Sequence, residues 1–173
     1  MKRHADRVLF QGEVPHRNDA NALLKEPGAA ALVYRGVARS IAMACPDGCG
    51  DTLTINLDDR AGPAWRLYRG SAGISLFPSV WRETGCKAHF IVWRSRIYWC
   101  NRDAFESPSA DILEGTLAQL DDELVPFSIL ADRMGLIPWE VLAACDHLVS
   151  RGLAERGRGE RSQSFRRKAR PRA

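Results

Sequence analysis

Cys45 and Cys49 in the run CPDGCG, and Cys86 and His89 in CKAH, form two short pairs of zinc-type ligands, each beside a run that reads as a strand. A proline after Cys45 and a glycine after Cys49 make the first loop a tight knuckle whose backbone amides turn toward the sulfurs. In the second pair a two-residue spacer lets both side chains reach one ion, and Gly85 relaxes the turn before it. Three thiolates and one imidazole are a common tetrahedral set for zinc. The competing readings are small core cysteines or oxidised pairs. No signal-peptide pattern and no apolar run of membrane length is visible, which predicts a cytoplasmic protein with no membrane partner, where disulfides seldom persist.

A fifth group competes for the four positions. HFIVWRSRIYWC reads as two strands joined at Arg94 and Ser95, an unusual pair for a tight turn. That register sets His89 opposite Cys100 on one face. Either Cys100 is a spare thiol, or it replaces His89 as the ligand and frees the imidazole for chemistry.

The elements that must position these residues follow from composition. The chain has 173 residues, 45% of them hydrophobic, enough for one core and a small appendage. Its net charge of +4 is uneven, because residues 151–173 carry nine Lys or Arg against Glu155 and Glu160, a net of +7 that leaves −3 on the rest. Any attraction to phosphate therefore belongs to the tail. The pattern predicts an α+β protein: a zinc-pinned antiparallel β-rich domain followed by a small helical, winged-helix-like module. Residues 1–28 read as an irregular arm and 29–106 as the zinc-binding β domain of five or six strands. Residues 107–155 read as the helical module and 156–173 as a basic, disordered tail. Within the module, Gly135 breaks one helix, Pro138 opens the next and Gly152 follows its last turn.

The helix, turn and helix of the last 60 or so residues resemble winged-helix modules, which implies DNA as a partner, with the helix from Pro138 to Arg151 in the major groove. Against it, Glu140, Asp146 and His147 are expected to face outward, a poor surface for phosphate. Trp65, Trp81, Trp93, Trp99 and Cys145 read as packing, and GSAGIS lacks the lysine and helix of a phosphate loop.

The order ALVYRG, AMACPDGCGDTLTINL, PAWRLYRG and ISLFPSVWRETGCKAHFIVWRSRIYWC, residues 29–100, resembles a small bacterial family of formerly unknown function. Its members are encoded beside ThiF-type adenylating enzymes and multiubiquitin proteins, and CPDGCG, FPSVW and GCKAHF are the most specific pieces. Many relatives carry CPCGCG, and Asp47 stands here in the middle position. The resemblance implies handling of a ubiquitin-like protein or its conjugation enzymes, either as an accessory protein or as a peptidase that trims a precursor or releases it from targets.

Chemistry for such a peptidase has two sources. A metal-bound water is poorly supported, because there is no HExxH and a metal held by four protein groups is closed. A serine mechanism is the alternative: Ser79 in FPSVW lies on a loop stiffened by Pro78 and covered by Trp81. It becomes a nucleophile if His89 is unligated, with Asp47 or Glu83 orienting the imidazole. Otherwise its hydroxyl bonds the backbone of a turn. A DNA-binding regulator is the alternative function.

Overall fold

Strands are more numerous than the sequence suggests, and four of those among the described residues lie outside the stretch read as the β domain. In the computed structural model, residues 4–100 and 102–169 are described, and the chain divides into units spanning 1–104 and 105–173.

The first unit holds two four-stranded sheets. One has the order β1 (Leu9–Val14), β2 (Ala29–Arg35), β3 (Val37–Ala44) and β4 (Thr52–Asn56). The other runs β5 (Arg66–Gly70), β6 (Gly73–Trp81), β7 (His89–Trp93) and β8 (Arg96–Trp99). All neighbours are antiparallel except β1 and β2, which are parallel. Strand alternation turns Leu32, Ile41, Met43, Leu53 and Ile55 of the first sheet into the same core as Ile74, Leu76, Phe90, Val92 and Ile97 of the second. The far face of β2 and β3 carries alanines, so Ala31 and Ala42 pack closely against Ala20 of the short 3-10 turn Arg17–Ala22.

Within the stretch 1–28, expected as an irregular arm, residues 4–28 instead pack into this unit, and residues 1–3 lie outside the described residues. Val8 is buried, and β1 alternates exposed and half-buried side chains, as an edge strand does. Its lead-in joins the two sheets: the Ile97 and Val8 amides donate to Asp6 O (2.8 Å) and Ser95 O (2.7 Å), and the Leu9 amide to Gly28 O (2.9 Å). Gly28 is needed there, since it has φ +85° and a Cβ would lie 2.4 Å from the Arg7 carbonyl oxygen. At the opposite edges, the Trp65 amide donates to Asn56 O at 2.8 Å.

Arg94 and Ser95 do form the β7–β8 turn, with φ of 52° and 57°. Two left-handed residues match the twist of a two-residue hairpin. Here side chains stabilise them: the Arg94 amide donates to Ser75 Oγ (2.9 Å) and Ser95 Oγ accepts from the Ile74 amide (3.1 Å).

The second unit is mixed. After α1 (Ala110–Gln119) come β9 (Val125–Pro126), α2 (Phe127–Met134), α3 (Pro138–Ser150), β10 (Ala154–Arg156) and β11 (Ser164–Arg167), with a sheet order of β10, β11, β9. Gly135 closes α2 in the left-handed conformation and Pro138 opens α3. Glu140, expected to face outward, is buried instead, because its carboxylate accepts the Ile137 amide at 3.2 Å and caps the helix. Asp146 pairs with Arg156.

The basic stretch expected to be disordered also folds, as far as residue 169. Phe165 is fully buried in β11, and Arg156 lies over its ring at 4.9 Å. Glu155 and Arg166, opposite each other in the β10–β11 pair, form an ion pair. One apolar anchor and charges paired across strands outweigh the repulsion of the arginines. Phe165→Ala should therefore destabilise this unit by about 3–5 kcal/mol. Denaturation of the full chain followed by Trp139 fluorescence would show it, and an unchanged midpoint would mean that the strand is not anchored by this ring. Among the described residues no helix is long and apolar enough to cross a membrane.

Candidate functional site

The first ligand loop connects β3 to β4, and the second connects β6 to β7. Since these strands belong to different sheets, the loops meet at one end of the unit. Cys45, Cys49 and Cys86 lie with all three sulfurs within 4.8 Å of one another, and Cys45 Sγ is 3.6 Å from Cys86 Sγ. Two sulfurs bound tetrahedrally at about 2.3 Å from one zinc ion stand about 3.8 Å apart, so the Cys45–Cys86 spacing is close to that of two thiols sharing an ion, and the three together could hold a metal.

The electrostatics divide the cluster, favouring the thiolate at Cys86 and the neutral thiol at Cys45. Burial pushes the Cys45 thiol up to about 12, despite the Asp47 backbone amide that bonds it. At Cys86 the same burial effect is outweighed by the Ala88 amide, the two neighbouring thiols and the Arg82 guanidinium, so its thiol falls below the usual range. Arg82 Nη1 lies 3.2 Å from Cys86 Sγ and 3.4 Å from Cys49 Sγ, and pairs with Asp51 at 2.9 Å. This arginine was not among the residues singled out from the sequence. Its only signal there is a position between FPSVW and GCKAHF.

His89 does not join the cysteines. Its Nε2 is 3.0 Å from Ser79 Oγ. The correction follows from where β7 begins: His89 is its first residue and Phe90 turns into the core, so alternation sends the imidazole to the outer face. The CKAH spacing fits a ligand pair, but the chain has entered a strand before its last residue. Cys100 is also outside the cluster. It lies opposite His89, its amide donating to His89 O at 3.2 Å, while its half-buried thiol is pushed above the usual range by burial.

Ser79 lies in a strand rather than on a loop. The residue before a proline favours extended backbone, and β6 runs through Pro78 and Ser79 to Trp81. Its pairing with β7 slips, because Leu76 opposes Val92 and Val80 opposes Phe90, so four steps of β6 cover two of β7. The extra residues form a bulge that contains the cis Phe77–Pro78 peptide and Ser79. Beyond it, Val80 points inward and is buried, whereas Ser79 and Trp81 share the outer face with His89.

Trp81 is directly opposite His89, and the two rings are 5.9 Å apart with the indole 63% exposed. Asp47 and Glu83, the expected orienting acids, lie elsewhere: Asp47 Oδ1 is 3.4 Å from His4 Nδ1, and Glu83 is exposed. Among the described residues no carboxylate bonds the second nitrogen of His89. Strand pairing and the Trp81 ring are what position the imidazole. A hydroxyl within hydrogen-bond reach of an imidazole, at a half-exposed site, can be deprotonated as it attacks an electrophile.

A serine-protease family model, described as "bacterial ubiquitination-like system serine protease (BubE)", matches residues 16–100. No curated protein and no solved structure matches the chain.

Proposed function

From the match of residues 16–100 to the BubE family model, we propose that the chain is a serine peptidase acting on a ubiquitin-like modifier, with Ser79 as nucleophile and His89 as general base. The 3.0 Å contact between Ser79 Oγ and His89 Nε2 is the observation that carries this reading. In the proposed reaction, Ser79 Oγ bonds to the carbonyl carbon of the scissile peptide while its proton passes to His89 Nε2. As the C–N bond breaks, that proton goes to the leaving amine. Water then attacks the acyl-serine, gives a proton to His89, and the proton returns to Ser79 as the acid product leaves.

Zinc is the metal we assign to Cys45, Cys49 and Cys86, supported by the sulfur spacing and the soft donor set. When bound it would supply a clamp between the β3–β4 and β6–β7 loops. Ser79 and His89 lie outside that ligand set, so catalysis does not pass through it.

In the second unit, the order helix, strand, two helices and hairpin supports reading it as winged-helix-like. We assign it no nucleic acid partner, since α3 keeps an acidic Asp146 that engages Arg156.

A fluorophosphonate probe tests the nucleophile: the phosphorus should bond to Ser79 Oγ as fluoride leaves, and a ubiquitin-like precursor should lose its C-terminal extension. Mass spectrometry that finds neither a Ser79 adduct nor a shortened precursor would overturn the assignment.

A further inference from the structure

The backbone of β6 beside Ser79 has one unpaired edge. β5 pairs with β6 from Gly70, opposite Gly73, to Arg66, opposite Phe77, and there it stops. β6 continues for four more residues to Trp81 with β7 alone. The chain before Arg66 has left for the other sheet, since the Trp65 amide donates to Asn56 O and Asn56 Nδ2 donates to Pro63 O at 3.0 Å.

Which groups face that edge follows from the antiparallel ladder, in which hydrogen-bonded and non-hydrogen-bonded pairs alternate. The Arg82 amide donates to Ala88 O at 2.9 Å, so Arg82 and Val80 bond toward β7. Trp81, in the non-bonded pair with His89, directs its own N–H and C=O away from β7. Ser79 agrees: its carbonyl accepts from Trp65 Nε1 at 3.3 Å, on the side that β5 vacates. The Trp65 indole takes the Ser79 carbonyl, while Pro78 and the Trp81 side chain are exposed and, among the described residues, no strand pairs with Trp81 on this side.

Resting on the peptidase reading above, we propose that the substrate binds as an extended segment added as a strand to the Ser79–Trp81 edge of β6, bonding the backbone N–H and C=O of Trp81. The occupant is a peptide in strand conformation, because one donor and one acceptor on a pleated edge complement a peptide backbone and little else. It delivers its carbonyl to the face that carries Ser79 Oγ and His89. A helix has no free backbone groups to offer there, and an extended tail or linker can present both its backbone and its scissile carbonyl to this edge.

The test separates backbone from indole. With the full chain and a synthetic peptide spanning the junction between a ubiquitin-like protein and its C-terminal extension, Trp81→Ala keeps the N–H and Trp81→Pro removes it. The edge N–H has no partner within β6 and β7, and proline is tolerated on strand edges. Trp81→Pro should lower kcat/KM at least tenfold below Trp81→Ala at matched melting temperature, and equal values overturn the proposal. Hydrogen exchange on the Ser79→Ala chain reads it without proline: the Trp81 amide should be protected at least tenfold by the peptide. Unprotected exchange with cleavage intact in the parent chain overturns the strand mode alone, whereas loss of Ser79 dependence overturns the peptidase reading itself.

Discussion

Ser79→Ala and His89→Ala should each lower kcat/KM for release of a C-terminal extension from a ubiquitin-like precursor by about 10⁴-fold or more, and the double variant should be no worse than either. The reason is that the two groups act as one unit. Without the imidazole 3.0 Å away, the hydroxyl has no acceptor for its proton, and without the hydroxyl the imidazole has nothing to activate. Non-additivity separates this from two independent structural defects, which would multiply. Metal content is the second measurement. Both variants should bind the zinc we assign to the cysteines as well as the parent chain does, because His89 lies outside the cysteine cluster. Melting temperatures should also hold, as Ser79 and His89 are only half-buried on the outer face of the sheet. A His89→Ala protein that loses zinc would restore the ligand assignment that the CKAH spacing suggests. Retained cleavage in Ser79→Ala would remove the nucleophile.

The cysteines were legible in the sequence, and the reason is local. Spacing within a loop fixes what two side chains can reach, so CPDGCG and Cys86 report their own geometry. His89 was harder because its direction depends on where β7 begins, and that is set by the pairing of Trp81 with His89 and of Phe90 with Trp99. Either of the alternatives raised by the hairpin register depended on the same unseen choice. Ser79 was legible as a candidate, since a stiff FPS segment draws attention, but its strand and bulge were not. A proline argues against a central strand, and here one is accommodated because β5 ends at the residue before it in the ladder. β1 was hidden by polarity: LFQGEV turns only one face inward and lies at a sheet edge. In the tail, net charge masked Phe165 and the small buried residues Ala154 and Ser164. Composition averages over a strand that needs only its inward positions to be apolar.

Removing the zinc we assign to the cysteine cluster should destabilise the first unit, and should silence the proposed peptidase indirectly. The cluster ties the loop between β3 and β4 to the loop between β6 and β7, each from a different sheet. Structural zinc contributes on the order of 10 kcal/mol to small domains that fold around it, against a typical net stability of about 5–15 kcal/mol. Here a sheet core persists without the ion, so only part of that would be lost; even about 3 kcal/mol lowers the melting temperature by about 10 °C or more in a unit of this size. Cys45→Ser should match the chelated parent, because Cys45 is 2% exposed and a serine hydroxyl is a poor substitute for a thiolate at a soft site. Cleavage should fall with stability, since Arg82 follows Trp81 directly and its guanidinium is held by Cys49, Cys86 and Asp51. When the loops separate, Arg82 is released and the Trp81 end of β6 loosens, and with it the alignment of Ser79 on His89. Zinc added back to the chelated parent should restore both melting temperature and rate, while Ser79→Ala stays inactive at full stability. A chelated, zinc-free chain that melts and cleaves like the parent would show that the three thiols meet without holding the site together.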